Sequence, residues 1–382
     1  MASYAFETIT AQQALAIGSL DTVTFAGRPG HGVSVAYNIP AVGPASVTVT
    51  FGGRAVEFGP SILEISERGG LDFAGDSRLL IGGPGDDPLK GGAEADALYG
   101  GQGDDTIDGQ GGDDLMQGNA GNDRLLGERG ADVIYGGQGH DYIRAGLAIS
   151  GEEGNFAHGN MGNDTIDGGS GGDTLLGGQG DDDIRSGDSA DYVSGDLGDD
   201  ILRGGTGADT ILGGAGNDTL FSGGGGDTLA GGAGNDLIVT TGGRVDGGEG
   251  ADTIMSPGAG KDIIRGGDGI DRFEFTSPAS ARYEDADEIG DWSAGERLDF
   301  DRAIIQPAGP GHYQEIVAAD YESALAAANG IIAGGSVAFV AAQVGGDVVV
   351  FAEADGIAGN GADAAVILVG RTLADIYWDH LG

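Results

Sequence analysis

The chain contains no cysteine, which excludes disulfides and thiolate-held zinc or iron centres as sources of stability. Positive charge is scarce: 18 Lys plus Arg stand against 61 Asp plus Glu, a formal net charge of -43. Such a chain repels nucleic-acid phosphates and anionic membrane surfaces, so neither is expected as a partner. No apolar stretch approaches the roughly 18 residues that mark a membrane span. The N-terminus, Met1-Ala-Ser-Tyr-Ala-Phe-Glu-Thr8, lacks the basic region and apolar run of a cleavable signal peptide. A soluble chain that does not use a cleaved N-terminal signal is the expectation.

Catalytic signatures are missing as well. There is no H-E-x-x-H, and the histidines, His31, His140, His158, His312 and His380, are dispersed. The G-x-S-x-G match at Gly168-Gly-Ser-Gly-Gly172 lies inside a glycine repeat rather than on a strand-to-helix elbow, and reads as coincidence. Asp285, Asp287 and Glu288 read as a charged strand entrance rather than a glycosidase pair, because nothing fixes their separation. Asp355, Asn360 and Asp363 sit in a glycine-rich loop that reads as a solvated turn.

What is abundant is carboxylate and glycine. Glycine supplies 81 of the 382 residues, a composition of disordered or fibrous chains unless a strict period gives each glycine a backbone task. The natural counter-ions of so many acids are cations, and without them self-repulsion opposes compaction. Folding is expected to depend on a metal.

Three regions are expected. Residues 1–78 form a small β-rich domain: Thr10-Ala-Gln-Gln13 fits a capping box before a short helix, and the alternating runs Thr22–Phe25, Val33–Tyr37, Val47–Phe51 and Ala55–Phe58 read as strands between Gly and Pro turns. Residues 79–274 carry a nonapeptide repeat with breaks at 145–158 and 240–246. Residues 275–382 return to globular patterning. There Asp287–Trp292, Arg297–Phe300, Val337–Val344, Asp347–Phe351 and Ala365–Val369 read as strands, Asp320 fits the cap of a helix through Ala328, and Thr372 fits the cap of a closing helix near Trp378.

The repeat reads G-G-x-G-x-D-x-U-x, with U a large apolar residue. Seven copies run from Gly82 to Arg144, nine from Gly159 to Val239, and three begin at Gly247, Pro257 and Gly266, nineteen in all. The sixth position is always aspartate: Asp87, Asp96, Asp105, Asp114, Asp123, Asp132 and Asp141, then Asp164, Asp173, Asp182, Asp191, Asp200, Asp209, Asp218, Asp227 and Asp236, and finally Asp252, Asp262 and Asp271. The eighth is always apolar, from Leu89 to Phe273. Two demanding positions held in phase over so many copies do not arise by chance. The first break carries a worn copy, Ser150–His158, with Asn155 in the aspartate position. Glu94 and Ser189 replace the fourth glycine, and Pro88 stands where a strand should begin.

Such a repeat turns sharply over its first six residues, where glycine permits positive φ, and extends over its last three, so the eighth side chain faces inward and two repeats complete an eighteen-residue coil. The turns present carbonyls and a carboxylate, the oxygen donors that calcium takes six to eight of. Aspartates that merely end turns are the plain alternative, but a ladder of carboxylates a strand spacing apart would repel strongly unless a cation cross-linked it.

The repeat is identified as that of RTX proteins, whose fold is a right-handed parallel β-roll. Gly266–Phe275, with Asp287-Glu-Ile-Gly-Asp-Trp292 and Arg297-Leu-Asp-Phe300, resembles the junction of roll and tail in serralysin-type members, although their protease domain has no counterpart here. The resemblance implies an all-β fold and calcium ions between stacked loops, shared by aspartates eighteen apart such as Asp105 with Asp123 and Asp200 with Asp218. It further implies export through a type I secretion apparatus on an uncleaved C-terminal signal that includes Leu373–Trp378. With a dissociation constant of about 10⁻⁴ M, millimolar calcium adds roughly 1.4 kcal/mol per site, so the roll is expected unfolded at cytosolic calcium and folded outside the cell.

The functional expectation is a secreted, extracellular or cell-surface structural or interaction protein, a surface-layer, filament, matrix or adhesin component that self-associates in calcium. The alternative is a secreted enzyme or toxin with an active site outside the roll. A pore former is disfavoured, since no segment is apolar or amphipathic enough to insert in a bilayer.

Overall fold

In the computed structural model, residues 77–149, 151, 153–257, 260–275, 286–293, 295–300, 313–333, 338–352, 364–377 and 381 are described, together with the strands Ser3–Ala5, Thr22–Thr24, Val33–Asn38, Ser46–Phe51, Arg54–Phe58 and Leu71–Asp72. The expected helix after Thr10 lies outside the described residues, as do Asp285, Asp355, Asn360, Asp363 and Trp378.

The period of nine sets the architecture. Each repeat contributes one strand, and consecutive repeats alternate between two parallel sheets, so the chain winds into a β-solenoid of about 11 turns. It divides into two compact units, Met1–Val193 and Ser194–Gly382.

In the first unit, Ser3–Ala5, Thr22–Thr24 and Leu71–Asp72 form a parallel sheet, and Val33–Asn38, Ser46–Phe51 and Arg54–Phe58 an antiparallel one. The roll follows with an eighteen-residue register: Leu98 pairs with Met116 and Met116 with Ile134 on one sheet, and Leu89 with Ile107 and Ile107 with Leu125 on the other. These eighth-position side chains stack inside and are buried, each worth about 1.5–3 kcal/mol of transfer free energy. Pro88–Lys90 forms a strand despite its proline, because it is the last strand of its sheet and needs one fewer donor there. Across the first break, Phe156–Met161 pairs with Val133–Gln138 at a step of twenty-three residues, so the worn copy keeps its place and the insertion leaves the coil between strands.

The second unit is wound in the same manner. Gly243–Glu249 pairs with Asp227–Ala233 at a step of sixteen residues, so the second break is a shortened coil in which Gly243 stands opposite Asp227 and Val245 fills the core position. Parallel pairing in the roll's manner carries on to Asp287–Ile289, beside Asp262–Asp268, and to Arg297–Phe300, beside Arg272–Phe275. Ala364–Leu368 then adds to Asp287–Ile289, followed by Asp347–Ala352, Phe339–Val344 and, at the edge, Tyr313–Ala318. The helix Tyr321–Ile332 starts at Asp320, whose Oδ1 accepts the Ser323 N–H at 2.8 Å. It lays Tyr321, Ala324, Ala328 and Ile332, spaced for one helical face, on this sheet. The expected closing helix is a single 3-10 turn, Leu373–Asp375, with Asp375 accepting from the Thr372 N–H.

Candidate metal centre

Each sixth-position aspartate sits where the turn becomes strand, its backbone already bonded into the sheet. The side chain therefore reaches back over the preceding turn. Asp123 Oδ1 accepts the Asp105 N–H at 2.8 Å, Asp141 Oδ1 that of Asp123 at 2.8 Å, and Asp132 Oδ1 that of Asp114 at 2.9 Å. The second unit repeats the arrangement, with Asp218 accepting from Asp200 and Asp236 from Asp218, both at 2.8 Å. The pairs eighteen apart are thus brought together within each unit. All nineteen aspartates except the half-buried Asp87 are buried.

The other carboxylate oxygen has no such donor. Oδ2 of Asp105, Asp114, Asp123, Asp141, Asp164 and Asp173 in the first unit, and of Asp218, Asp236, Asp252 and Asp271 in the second, is buried without a hydrogen bond. Each lies against the first glycine of its own repeat. A methyl group built on Gly168 would come within 2.6 Å of Asp173 Oδ2 and 2.5 Å of the Ser186 carbonyl oxygen one coil on. Glycine thus leaves room where a carboxylate oxygen and a carbonyl oxygen converge, and the turns are held at positive φ by glycines such as Gly101 and Gly103.

Electrostatics marks the same oxygens. Burial, reinforced by neighbouring carboxylates, pushes Asp105 up to about 7, Asp141 to about 7 and Asp114 to about 9, even though a backbone N–H bond pulls each down. A ladder pushed this way towards protonation favours protons or cations as its partners. The donors are oxygens only, which suits calcium. Among the described residues no three acidic or histidine side chains gather as a metal cluster, so a cation here draws on paired carboxylates plus backbone carbonyls. When bound, calcium supplies the positive charge that lets both carboxylates ionise and ties adjacent coils together.

The ladder has exceptions. In the worn copy Asn155 does hold the aspartate place, its Oδ1 accepting the Asp132 N–H at 3.0 Å, but it brings no charge. Asp87 and Asp96 turn Oδ2 onto the Gly83 and Gly92 N–H groups at 2.5 Å. Asp262 is closed by hydroxyls, Thr240 Oγ1 at 2.7 Å and Ser256 Oγ at 2.8 Å.

Three further acids complete the end of the ladder. Asp287 Oδ1 accepts the Asp262 N–H at 2.8 Å, Asp291 receives the Gly266 and Gly267 N–H groups at 3.0 Å, and the buried Glu296 accepts from Ser293 N–H at 2.7 Å. Burial raises Asp287 and Glu296 to about 7. In the sequence alone Asp287 reads as a charged strand entrance. The available signal was spacing, since Asp287 with Ile289 and Glu296 with Leu298 keep the two-residue step from acid to core side chain.

A family model described as the RTX calcium-binding nonapeptide repeat matches residues 81–116, 117–147, 158–193, 194–229, 203–238, 221–254 and 244–273. The chain belongs to the RTX repeat proteins. It is a calcium-binding protein, and repeats of this family take several calcium ions per domain. Among solved structures, one that matches is the extracellular lipase LipA from Serratia marcescens, at 16% identity, covering 66% of this chain and 44% of that one, with a TM-score of 0.20. The chain thus spans less than half of that lipase. No curated protein matches it.

Proposed function

We propose that this is a secreted, extracellular structural or interaction protein whose nineteen sixth-position aspartates hold calcium, and whose calcium-folded form self-associates. The observation that carries the reading is the ladder of buried carboxylate oxygens without donors, exemplified by Asp105 and Asp123. Such a ladder disfavours folding at cytosolic calcium and favours it at the millimolar calcium outside cells. Secretion and the type I apparatus rest on the family resemblance, since RTX repeat proteins are typically exported.

Self-association has its own support in Tyr313–Ala318, the last strand of its sheet among the described residues, which exposes Val317 by 80%. A non-enzymatic role follows the sequence reading, with residues 1–78 and 275–382 as flanking domains. Sedimentation and circular dichroism of the purified chain with and without millimolar calcium test it. Conversion of an expanded chain to β-rich polymers is expected, and a compact monomer in calcium at every concentration overturns the assembly.

A further inference from the structure

The outer face of the first unit is not uniformly acidic. On the sheet that holds Ala97–Gln102, Leu115–Ala120, Val133–Gln138, Phe156–Met161 and Thr174–Gln179, the outward ninth positions are Tyr99, Gln117, Tyr135, His158 and Leu176. None is a carboxylate, in a chain of net charge -43. The opposite sheet carries Lys90, Asp108, Leu126, Arg144, Asp167 and Arg185 at the same positions, all but Leu126 charged. The uncharged face is already a packing surface at its start, where Val33–Asn38 lies beside Ala97–Gln102 and Tyr99 is buried. Beyond Gln117 its ninth positions are part-exposed, and Met161 is 48% exposed.

A groove of about 450 Å³ opens there over Gly136 and Gly137, walled by Gln117, Asn119, Tyr135, Gln138, Asn160 and Met161. Its walls depend on an unusual choice of residue. Asn119 and Asn160 have φ of 79° and 81°, at the repeat position that Gly101, Gly137 and Gly178 occupy with positive φ in neighbouring coils. Asparagine tolerates this region better than most residues. The result is an amide on each side of a glycine floor. Asn119 Nδ2 donates to the Gln117 carbonyl at 3.3 Å and Asn160 Nδ2 lies 3.1 Å from His158 Nδ1. The side-chain amides of Gln117 and Gln138 make no hydrogen bond among the described residues. Tyr135 meets Phe156 on one side, ring centroids 5.6 Å apart.

We propose that this groove binds a neutral oligosaccharide, an assignment that deepens the interaction reading above by naming the partner. A pyranose ring offers C–H faces to an aromatic ring and hydroxyls around its rim. Uncharged amides, which donate and accept alike, match that rim, and Tyr135 matches the face. Anionic sugars meet the field of the whole chain. Coils stack about 4.8 Å apart, so donors recur along the roll axis and favour an extended chain over a single sugar.

The test is calorimetric titration of the full chain in millimolar calcium with cellohexaose, laminarihexaose and maltohexaose, and with oligogalacturonate as the charged probe. Two variants accompany it: Tyr135→Ala, and Asn160→Gly, which restores the glycine of neighbouring repeats and should spare the fold. At least one neutral probe is expected to bind, and each variant to weaken it by about tenfold or more with unchanged circular dichroism. No binding by any neutral probe, an affinity in both variants equal to the parent's, or preference for oligogalacturonate overturns the assignment. So does loss of calcium-dependent self-association in Tyr135→Ala without loss of sugar binding, which would make the face a contact between copies. A chain that binds sugar yet stays monomeric keeps the groove and loses the assembly, and polymers that bind no sugar do the reverse.

Discussion

Asp123 reaches over Asp105: its Oδ1 accepts the Asp105 backbone N–H at 2.8 Å, while its Oδ2 is buried with no donor at all. One oxygen therefore serves the fold in any state, and the other is left for something that the protein itself does not provide. That division makes the metal-free and metal-loaded chains respond oppositely to the same change.

Acidity is the simplest such change. In the metal-free fold Asp105, Asp141 and Asp173 are raised from 3.8 to about 7 and Asp114 to about 9. A folded-state value above the unfolded one means that the fold binds the proton more tightly. The stabilisation is complete below about 3.8 and is lost as pH rises through about 7 to 9. In EGTA the chain should thus gain β circular dichroism on moving from about pH 8 to about pH 5.5. With calcium the order reverses, because protons compete for the same oxygens and the midpoint of a calcium titration should rise. A metal-free chain whose β signal is independent of pH would contradict the ladder's role.

Replacing one acid isolates the division. Asp123→Asn keeps an Oδ1 for the Asp105 N–H and removes a buried charge, as Asn155 already does opposite Asp132. In EGTA the variant should be more folded than the parent. In millimolar calcium it should lose about 1.4 kcal/mol, the linkage of one site. Calcium-titrated circular dichroism checks both, and equal shifts in the two conditions would sink the idea.

Repetition is what makes this much legible in the sequence. Asp at six and an apolar residue at eight repeat in phase, so coil, sheet and core follow from one period. Legibility fails where the period slips. Gly243 replaces a carboxylate because the coil there is two residues short, and Asp287 and Glu296 sit twenty-five residues after Asp262 and Asp271 rather than eighteen. Their glycine turns are gone, leaving only the acid-to-core spacing as a clue. The hydroxyls that close Asp262, Thr240 and Ser256, come from different coils, each two residues after a core side chain, Ile238 or Ile254, where the repeat usually has glycine.

Glycine at the first repeat position is predicted to be required for space rather than for φ. Gly168→Ala would put a methyl against Asp173 Oδ2 and the Ser186 carbonyl, whereas Gly85→Ala meets nothing within 4 Å. The first should weaken calcium-induced folding by about 1–3 kcal/mol, the usual range for overpacking. The second should fall within about 0.5 kcal/mol of the parent. Thermal unfolding in calcium separates them, and similar losses in both would show that backbone freedom, not the oxygen cradle, is what the glycines supply.

The end of the roll offers the last check, because there an aromatic core takes over from the repeat. Trp292 is 1% exposed, packs 6.0 Å from Phe273 between ring centroids, and lies between Asp291, which bonds Gly266 and Gly267, and the buried Glu296. Trp292→Ala should cost about 3–5 kcal/mol from cavity formation. The loss should concentrate in the final coil, since each coil contacts only its neighbours. Hydrogen exchange in calcium is therefore expected to quicken at residues 266–300 and to stay slow around residues 97–144 of the first unit. Uniform quickening along the whole roll would mean instead that the tail nucleates the entire structure.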